Sequence, residues 1–500
     1  MPTDGVTVVV GGGTGKLRTV KGTRRITNRR AHVALVVACT VSGTAACSLT
    51  NDIDVCDRGR ATTHIANRGK TDGAQWLSGP QAIAAVPGGA LVVFTSDASG
   101  APDNTRTRVH LARVGMDGAP QSTCETDGAQ PVGGEAEGIG RAVIASAPEE
   151  ELALVAYTIR IPPTGLGTEQ LMGAFVRHSG CAAGEPFQIQ VEAGIMLAAP
   201  TVIPLGEKSF LVAWTTTLGA VVPAERILRA RIVQEVADLV PPRFLATELE
   251  TEGETATLAV AAEPPVLVAG TALPGARVAL LTHELGVATQ SIVLSVYDDR
   301  LHLLVPPKVI WQAPNTHAEE RFRSLHLAFD GEQLLAAWVA RTGSEPSRIM
   351  GRFITEDGAF LRAPDAPDGE AFQIGSAEVG NEEHVAVAAL AQGGFVVAWD
   401  EEGEPGRADD SAAGIRAVAF DASGGRRFSN LACGRQSFQM NESTAGSQTF
   451  PALAVLDDAS VLSAWTEDEG SAMEPDRVAD PSASAIRSAS FSDRILFAVE

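Results

Sequence analysis

Seven times between residues 94 and 465 a short apolar run closes on a large side chain: LVVF at Phe94, LVAY at Tyr157, LVAW at Trp214, VALL at Leu281, LAAW at Trp338, VVAW at Trp399 and LSAW at Trp465. The intervals are 63, 57, 67, 57, 61 and 66 residues. Runs this short, rich in Val and aromatic residues, cannot make a helix of useful length and fit strands buried on both faces. A regular period of this size is the signature of one supersecondary unit stacked on copies of itself, each unit burying its neighbour's apolar face.

The unit is clearest between Gly393 and Asp421. The strand signal Phe395–Trp399 is followed by an acidic, Gly- and Pro-containing loop, and Ile415–Phe420 gives a further strand before the turn residues Asp421-Ala422-Ser423-Gly424-Gly425. Equivalent strands start at Arg108, Gln170, Ile227, Ile292, Ile349 and Ile486. Turns such as Asp117-Gly118 and Asp357-Gly358 lead to outer strands, for example Phe187–Gln190 and Phe372–Ile374, and small-residue first strands such as Val385–Leu390 and Ala452–Val455 precede the anchors. Four strands per repeat, closed in a ring, remove the long exposed edges that invite aggregation. The expected fold is all-β, a seven-bladed β-propeller of four-stranded antiparallel blades over residues 81–500, with the fourth unit the weakest match. The VAW…IRA pattern resembles the propeller-forming repeats of bacterial surface and secreted proteins; that resemblance implies an exported propeller and no particular activity.

Residues 1–46 read as an N-terminal extension and signal peptide. Lys21, Arg24, Arg25, Arg29 and Arg30 precede the apolar run Ala31–Val41, which is too short to span a bilayer, and small residues follow. Residues 1–19 are unlike such a basic region, so Val20 is an alternative start. Gly43-Thr44-Ala45-Ala46-Cys47 resembles the lipobox of bacterial lipoproteins, with Thr44 where Leu is usual; the resemblance implies lipidation at Cys47, a tether over residues 47–80 and a place in the bacterial cell envelope, at the outer membrane or surface. Ordinary secretion is the alternative. Gly11-Gly12-Gly13-Thr14-Gly15-Lys16 lacks the glycine and the hydroxyl of a phosphate-binding loop, because Val10 and Leu17 stand in their places. Beyond Cys47 the remaining cysteines, Cys56, Cys124, Cys181 and Cys433, have no metal-site spacing and fit one or two disulfides, with three pairings open.

From residue 47 on, 32 basic side chains face 60 acidic ones, a net charge of −28. Such a surface excludes nucleic acid and anionic lipid as partners and leaves the membrane reachable only through the lipid. In a four-stranded blade the loop between strands two and three and the link to the next blade open on one face. A binding rim is expected there from His317, Glu319, Glu320, Glu382, Glu383, His384, Asp400, Glu401, Glu402, Glu467, Asp468 and Glu469. These acids lack the spacing of a dedicated calcium loop, so a calcium ion is admitted but not specified and no cofactor is implied. No nucleophile elbow is present and no catalytic residue stands out. The Trp and Tyr anchors read as core packing rather than sugar platforms. Two functions follow: a non-enzymatic binding or scaffold propeller for a protein or glycan at the loop-rich face, or an exported polysaccharide hydrolase or lyase with carboxylates at the channel mouth.

Overall fold

The computed structural model describes residues 63–66, 75–97, 106–121, 129–132, 136–137, 141–161, 168–178, 183–190, 195–196, 198–218, 225–235, 245–246, 256–258, 260, 263–314, 324–341, 345–364, 366–375, 381–402, 413–427, 437–441, 447–468 and 484–491, with four short strands before residue 57. The chain divides into Met1–Cys56 and Asp57–Glu500. In the first unit Val8–Val10 pairs with Arg18–Val20 and Val36–Val37 with Leu49–Thr50, both antiparallel. Cys47, Cys56, Cys124, Cys181 and Cys433 lie outside the described residues.

The second unit is the expected propeller, all-β with seven blades of four antiparallel strands. Blade two is its plainest example: Ala142–Ala147, Leu152–Ile161, Thr168–Arg177 and Phe187–Gln188, paired in that order. Blade six repeats it with Glu382–Ala389, Phe395–Glu402, Ala413–Phe420 and Phe438–Gln439. The first strand of each blade touches the first strands of both neighbours, and that of blade seven (Ser447–Val455) touches that of blade one (Ile83–Val86), so the ring is closed.

Closure uses a strand from the other end of the chain. Blade seven takes Val461–Asp468 and Ser484–Phe491 as its second and third strands and His64–Ile65 as its fourth, with Arg487 opposite Ile65 and Ser488 opposite His64. One hydrogen bond fixes the assignment. In six blades a backbone N–H beside the outer strand donates to the same carbonyl of the third strand: Val132 to Val109, Ile189 to Leu171, Leu258 to Leu228, Ile374 to Ile349, Met440 to Ile415, and in blade seven Ala66 to Ile486, all at 2.8–3.0 Å. Gln75–Trp76 also pairs with the second strand of blade one, Gly89–Asp97. Two short strands within residues 47–80, His64–Ile65 and Gln75–Trp76, thus join the ring upstream of residue 81.

The repeats pack as their composition predicts. Phe395–Trp399 is buried throughout, and Trp214, Trp338, Trp399 and Trp465 are all at most 1% exposed. Burial pushes the phenol of the Tyr157 anchor up to about 12. Between blades five and six Phe353 stacks on Phe372 at 5.3 Å and meets Phe420 edge-on at 5.7 Å. Gly394 opens the second strand of blade six at φ +88°, where a Cβ would lie 2.2 Å from the Phe420 carbonyl oxygen; only glycine fits. Blade four departs from the pattern: its outer strand, Leu303–Pro314, runs for 12 residues where blades two, five and six have two. Its Pro306-Pro307-Lys308 sequence blunts that long edge.

Candidate functional site

The residue after each anchor lies on the blade face opposite the anchor, because side chains alternate along a strand. Registering the seven repeats gives Thr95, Thr158, Thr215, Thr282, Val339, Asp400 and Thr466, every one of them buried. In blades three and seven this threonine ties its blade to the next: Thr215 Oγ1 donates to the Val266 carbonyl at 3.0 Å, and Thr466 Oγ1 accepts from Leu77 N–H at 2.9 Å. Asp400 takes the same part between blades six and seven, accepting from Phe450 N–H at 3.3 Å. Blade six alone spends a carboxylate on a job that a threonine hydroxyl does elsewhere.

The extra oxygen is where chemistry enters. Asp400 Oδ2 also meets His384 Nδ1 at 2.7 Å, whereas Oδ1 is buried and has no hydrogen-bond partner among the described residues. Asp400 is 4% exposed, and a buried carboxylate oxygen without a donor is costly, by about 1–3 kcal/mol. The first strand of blade six breaks register between Glu383 and Ala386, so that His384 bulges opposite Trp399. Phe450 occupies the matching bulge in blade seven, between Thr449 and Ala452. Both stand at positive φ, +42° and +56°, a conformation that costs non-glycine residues on the order of 1–3 kcal/mol and gathers at functional sites. The imidazole and phenyl centroids are 3.9 Å apart, and the His384 side chain keeps 13% of its surface exposed. With the carboxylate ionised, Nδ1 donates to it and Nε2 presents its lone pair outward from the dyad. Glu383 is the cross-strand partner of Asp400 and shares its face.

The other acids of the expected rim are placed differently. Glu382 is fully buried and its Oε2 accepts from Ile349 N–H of blade five at 2.8 Å. Its carboxylate sits on Gly375, where a Cβ would meet it at 2.1 Å. Glu401 is buried with Arg416 at 3.7 Å, and Glu467 is buried against the Arg487 guanidinium. Together with Asp400, these three correct the expectation of a rim whose acids all face solvent. The second strand continues past the tryptophan with buried acids on both faces: Asp400 turns to the seam with blade seven, while Glu401 and Glu467 turn to the tryptophan side and meet arginines of the third strand. Glu402 and Asp468 are exposed at the strand ends, and Glu402 accepts from Asn381 Nδ2 at 2.6 Å. Although its side chain reaches solvent, loss of hydration against the sheet raises the Asp468 carboxyl above the usual range. His317, Glu319, Glu320 and Glu469 lie outside the described residues. Among the described residues no group of three or more His, Cys, Asp or Glu side chains is arranged to hold a metal ion.

Sequence reading named His384 and Asp400 without joining them, and it missed Phe450. The column of residues after the anchors carries the signal, since one aspartate stands among five threonines and a valine.

No family model and no curated protein matches the chain. Solved structures resemble it at a distance. A protein of unknown function from Dyadobacter fermentans aligns at 13% identity and a TM-score of 0.39, covering 68% of this chain and 91% of its own. An exo-1,5-α-L-arabinanase from a bovine ruminal metagenomic library aligns at 12% and 0.34, covering 57% and 95%. The α-L-arabinanase of Cellvibrio cellulosa, complexed with arabinohexaose, aligns at 11% and 0.32, covering 60% and 97%. Likeness this remote transfers neither an activity nor the role of any residue.

Proposed function

We propose that this propeller recognises a glycan at the seam of blades six and seven without turning it over, and that Cys47 anchors it by lipid to the bacterial envelope. The observation that carries the recognition site is Asp400: a buried acceptor oxygen without a donor among the described residues, in a column otherwise filled by threonine and valine. A sugar hydroxyl supplies the missing donor, His384 Nε2 takes a second hydroxyl, and the half-buried Phe450 ring offers an apolar face to sugar C–H groups. The test is titration calorimetry of the full-length protein against a panel of neutral oligosaccharides, with Asp400→Thr and His384→Ala as variants. Binding by the wild type, lost in both folded variants, supports the reading; a panel without binders, or variants that bind as wild type, refutes it. For the anchor, Cys47→Ser should abolish detergent-phase partitioning.

Hydrolysis is the second reading, favoured by one observation, the opposition of Glu383 and Asp400 on a single blade face. Two carboxylates flanking one bond are the minimum for glycoside cleavage. Release of reducing ends from a bound oligosaccharide, abolished by Glu383→Gln, would replace recognition by catalysis at the same place.

A further inference from the structure

The ring carries a second unusual pair, at the end where first strands finish and second strands begin, away from the His384–Asp400 seam. In blade two Ser146 Oγ lies 2.9 Å from His178 Nε2. Registering the repeats at this level gives Ala85, Ser146, Pro204, Leu273, Phe329, Ala389 and Val455, so Ser146 is the one hydroxyl in an apolar column. Ser146 is half-buried and so within reach of a ligand, while His178 is 3% exposed, which fixes the ring. His178 follows directly on the third strand, its N–H bonded to the Glu151 carbonyl at 3.1 Å and its own carbonyl accepting from Arg113 Nη1.

We infer that Ser146 and His178 form a nucleophile–base pair that transfers acyl groups from small carboxylic esters. Burial, the largest influence, holds the imidazole below its usual pKa, so it is neutral and able to accept a proton at neutral pH, while its Nδ1 is buried without a hydrogen-bond partner among the described residues. Arg113 Nε is a buried donor without a hydrogen-bond partner among the described residues, on the guanidinium whose Nη1 meets the His178 carbonyl, and Arg113 supplies positive charge close to the pair. In the forward step Ser146 Oγ–H gives its proton to Nε2 as the Oγ–C bond to the ester carbonyl forms. The C–O bond to the alcohol then breaks, and His178 Nε2–H protonates the departing oxygen. Water repeats the sequence on the acyl-serine, leaving through Nε2 the proton that returns to Oγ and releasing the acid.

The test treats the full-length protein with a fluorophosphonate, whose phosphorus takes the place of the acyl carbon and whose fluoride leaves. Peptide mass spectrometry should find the adduct on Ser146 in the native protein and not in a heat-denatured sample. His178→Gln should slow labelling at least 100-fold, and p-nitrophenyl acetate hydrolysis should fall in parallel. Native protein without an adduct on Ser146, under conditions that label a control serine esterase to completion, overturns the inference whatever the variants do. Equal labelling rates in wild type and folded His178→Gln overturn it as well.

Discussion

Replacing Asp400 by threonine writes into blade six the residue that blades one, two, three, four and seven already carry. Threonine Oγ1 can accept Phe450 N–H as Thr466 accepts Leu77 N–H, so the tie between blades six and seven survives. Two stronger effects then oppose each other. The substitution removes a buried acceptor without a donor, worth about 1–3 kcal/mol, and it removes the charge-assisted bond to His384, worth about 1.5–3 kcal/mol. The difference should leave Asp400→Thr within about 2 kcal/mol of wild type. Asp400→Ala lacks the compensating hydroxyl, strands the Phe450 amide as well as His384, and should lose about 2 kcal/mol or more. Urea unfolding followed by tryptophan fluorescence reads both, because Trp399 lies beside the substituted residue in the strand. Should Asp400→Thr fall as far as Asp400→Ala, the carboxylate belongs to the seam and the case for a ligand disappears. Stability close to wild type together with lost oligosaccharide binding is the expected pattern.

Trp399→Ala and Trp465→Ala should each cost about 3–5 kcal/mol, the range for truncating a large buried aromatic; wild-type melting of either would contradict its position in the core. Ala66→Pro removes the N–H that reaches Ile486 and should loosen ring closure by about 1–3 kcal/mol, seen as faster proteolysis within residues 484–491. The His326 imidazole is buried, accepts Val387 N–H at 2.6 Å on Nδ1, and is pushed down by burial to about 4. Between pH 6.5 and about 4 the unfolded chain holds a proton there that the folded chain refuses, so stability falls as pH falls through that window and is unaffected above it. The loss is roughly 3 kcal/mol, and His326→Asn, whose amide oxygen can still accept from Val387, should flatten the melting temperature against pH. His283, pushed down by burial to about 3, adds a slope of the same sign that this variant leaves behind.

The ring and its register were legible because the anchors are few, bulky and evenly spaced. Trp214, Trp338, Trp399 and Trp465 mark the same point of the blade, and from any one of them the flanking strands follow. Sheet edges were not. The closing strand, His64–Ile65, is two residues long, and nothing in its own composition separates it from the polar residues around it. Its partner lies at the far end of the chain, at Arg487 and Ser488. The acids failed for a different reason. Apolar character stops at Trp399 and Trp465, which sets the strand ends there on the sequence pattern, yet each strand continues for three more residues, to Glu402 and Asp468. Within a strand the two-residue period sends Glu401 and Glu467 to the tryptophan side, where Arg416 and Arg487 of the third strand, each opposite the tryptophan two residues back, reach them diagonally. Those arginines are themselves one repeat feature, in the Ile-Arg pairs Ile415-Arg416 and Ile486-Arg487. Where acid and arginine occupy matched columns of two adjacent blades, the pairing belongs to the fold. Asp400 and Ser146 have no such counterpart in any other blade, and it is this departure from the repeat, rather than the abundance of acid, that singles them out as candidates for chemistry.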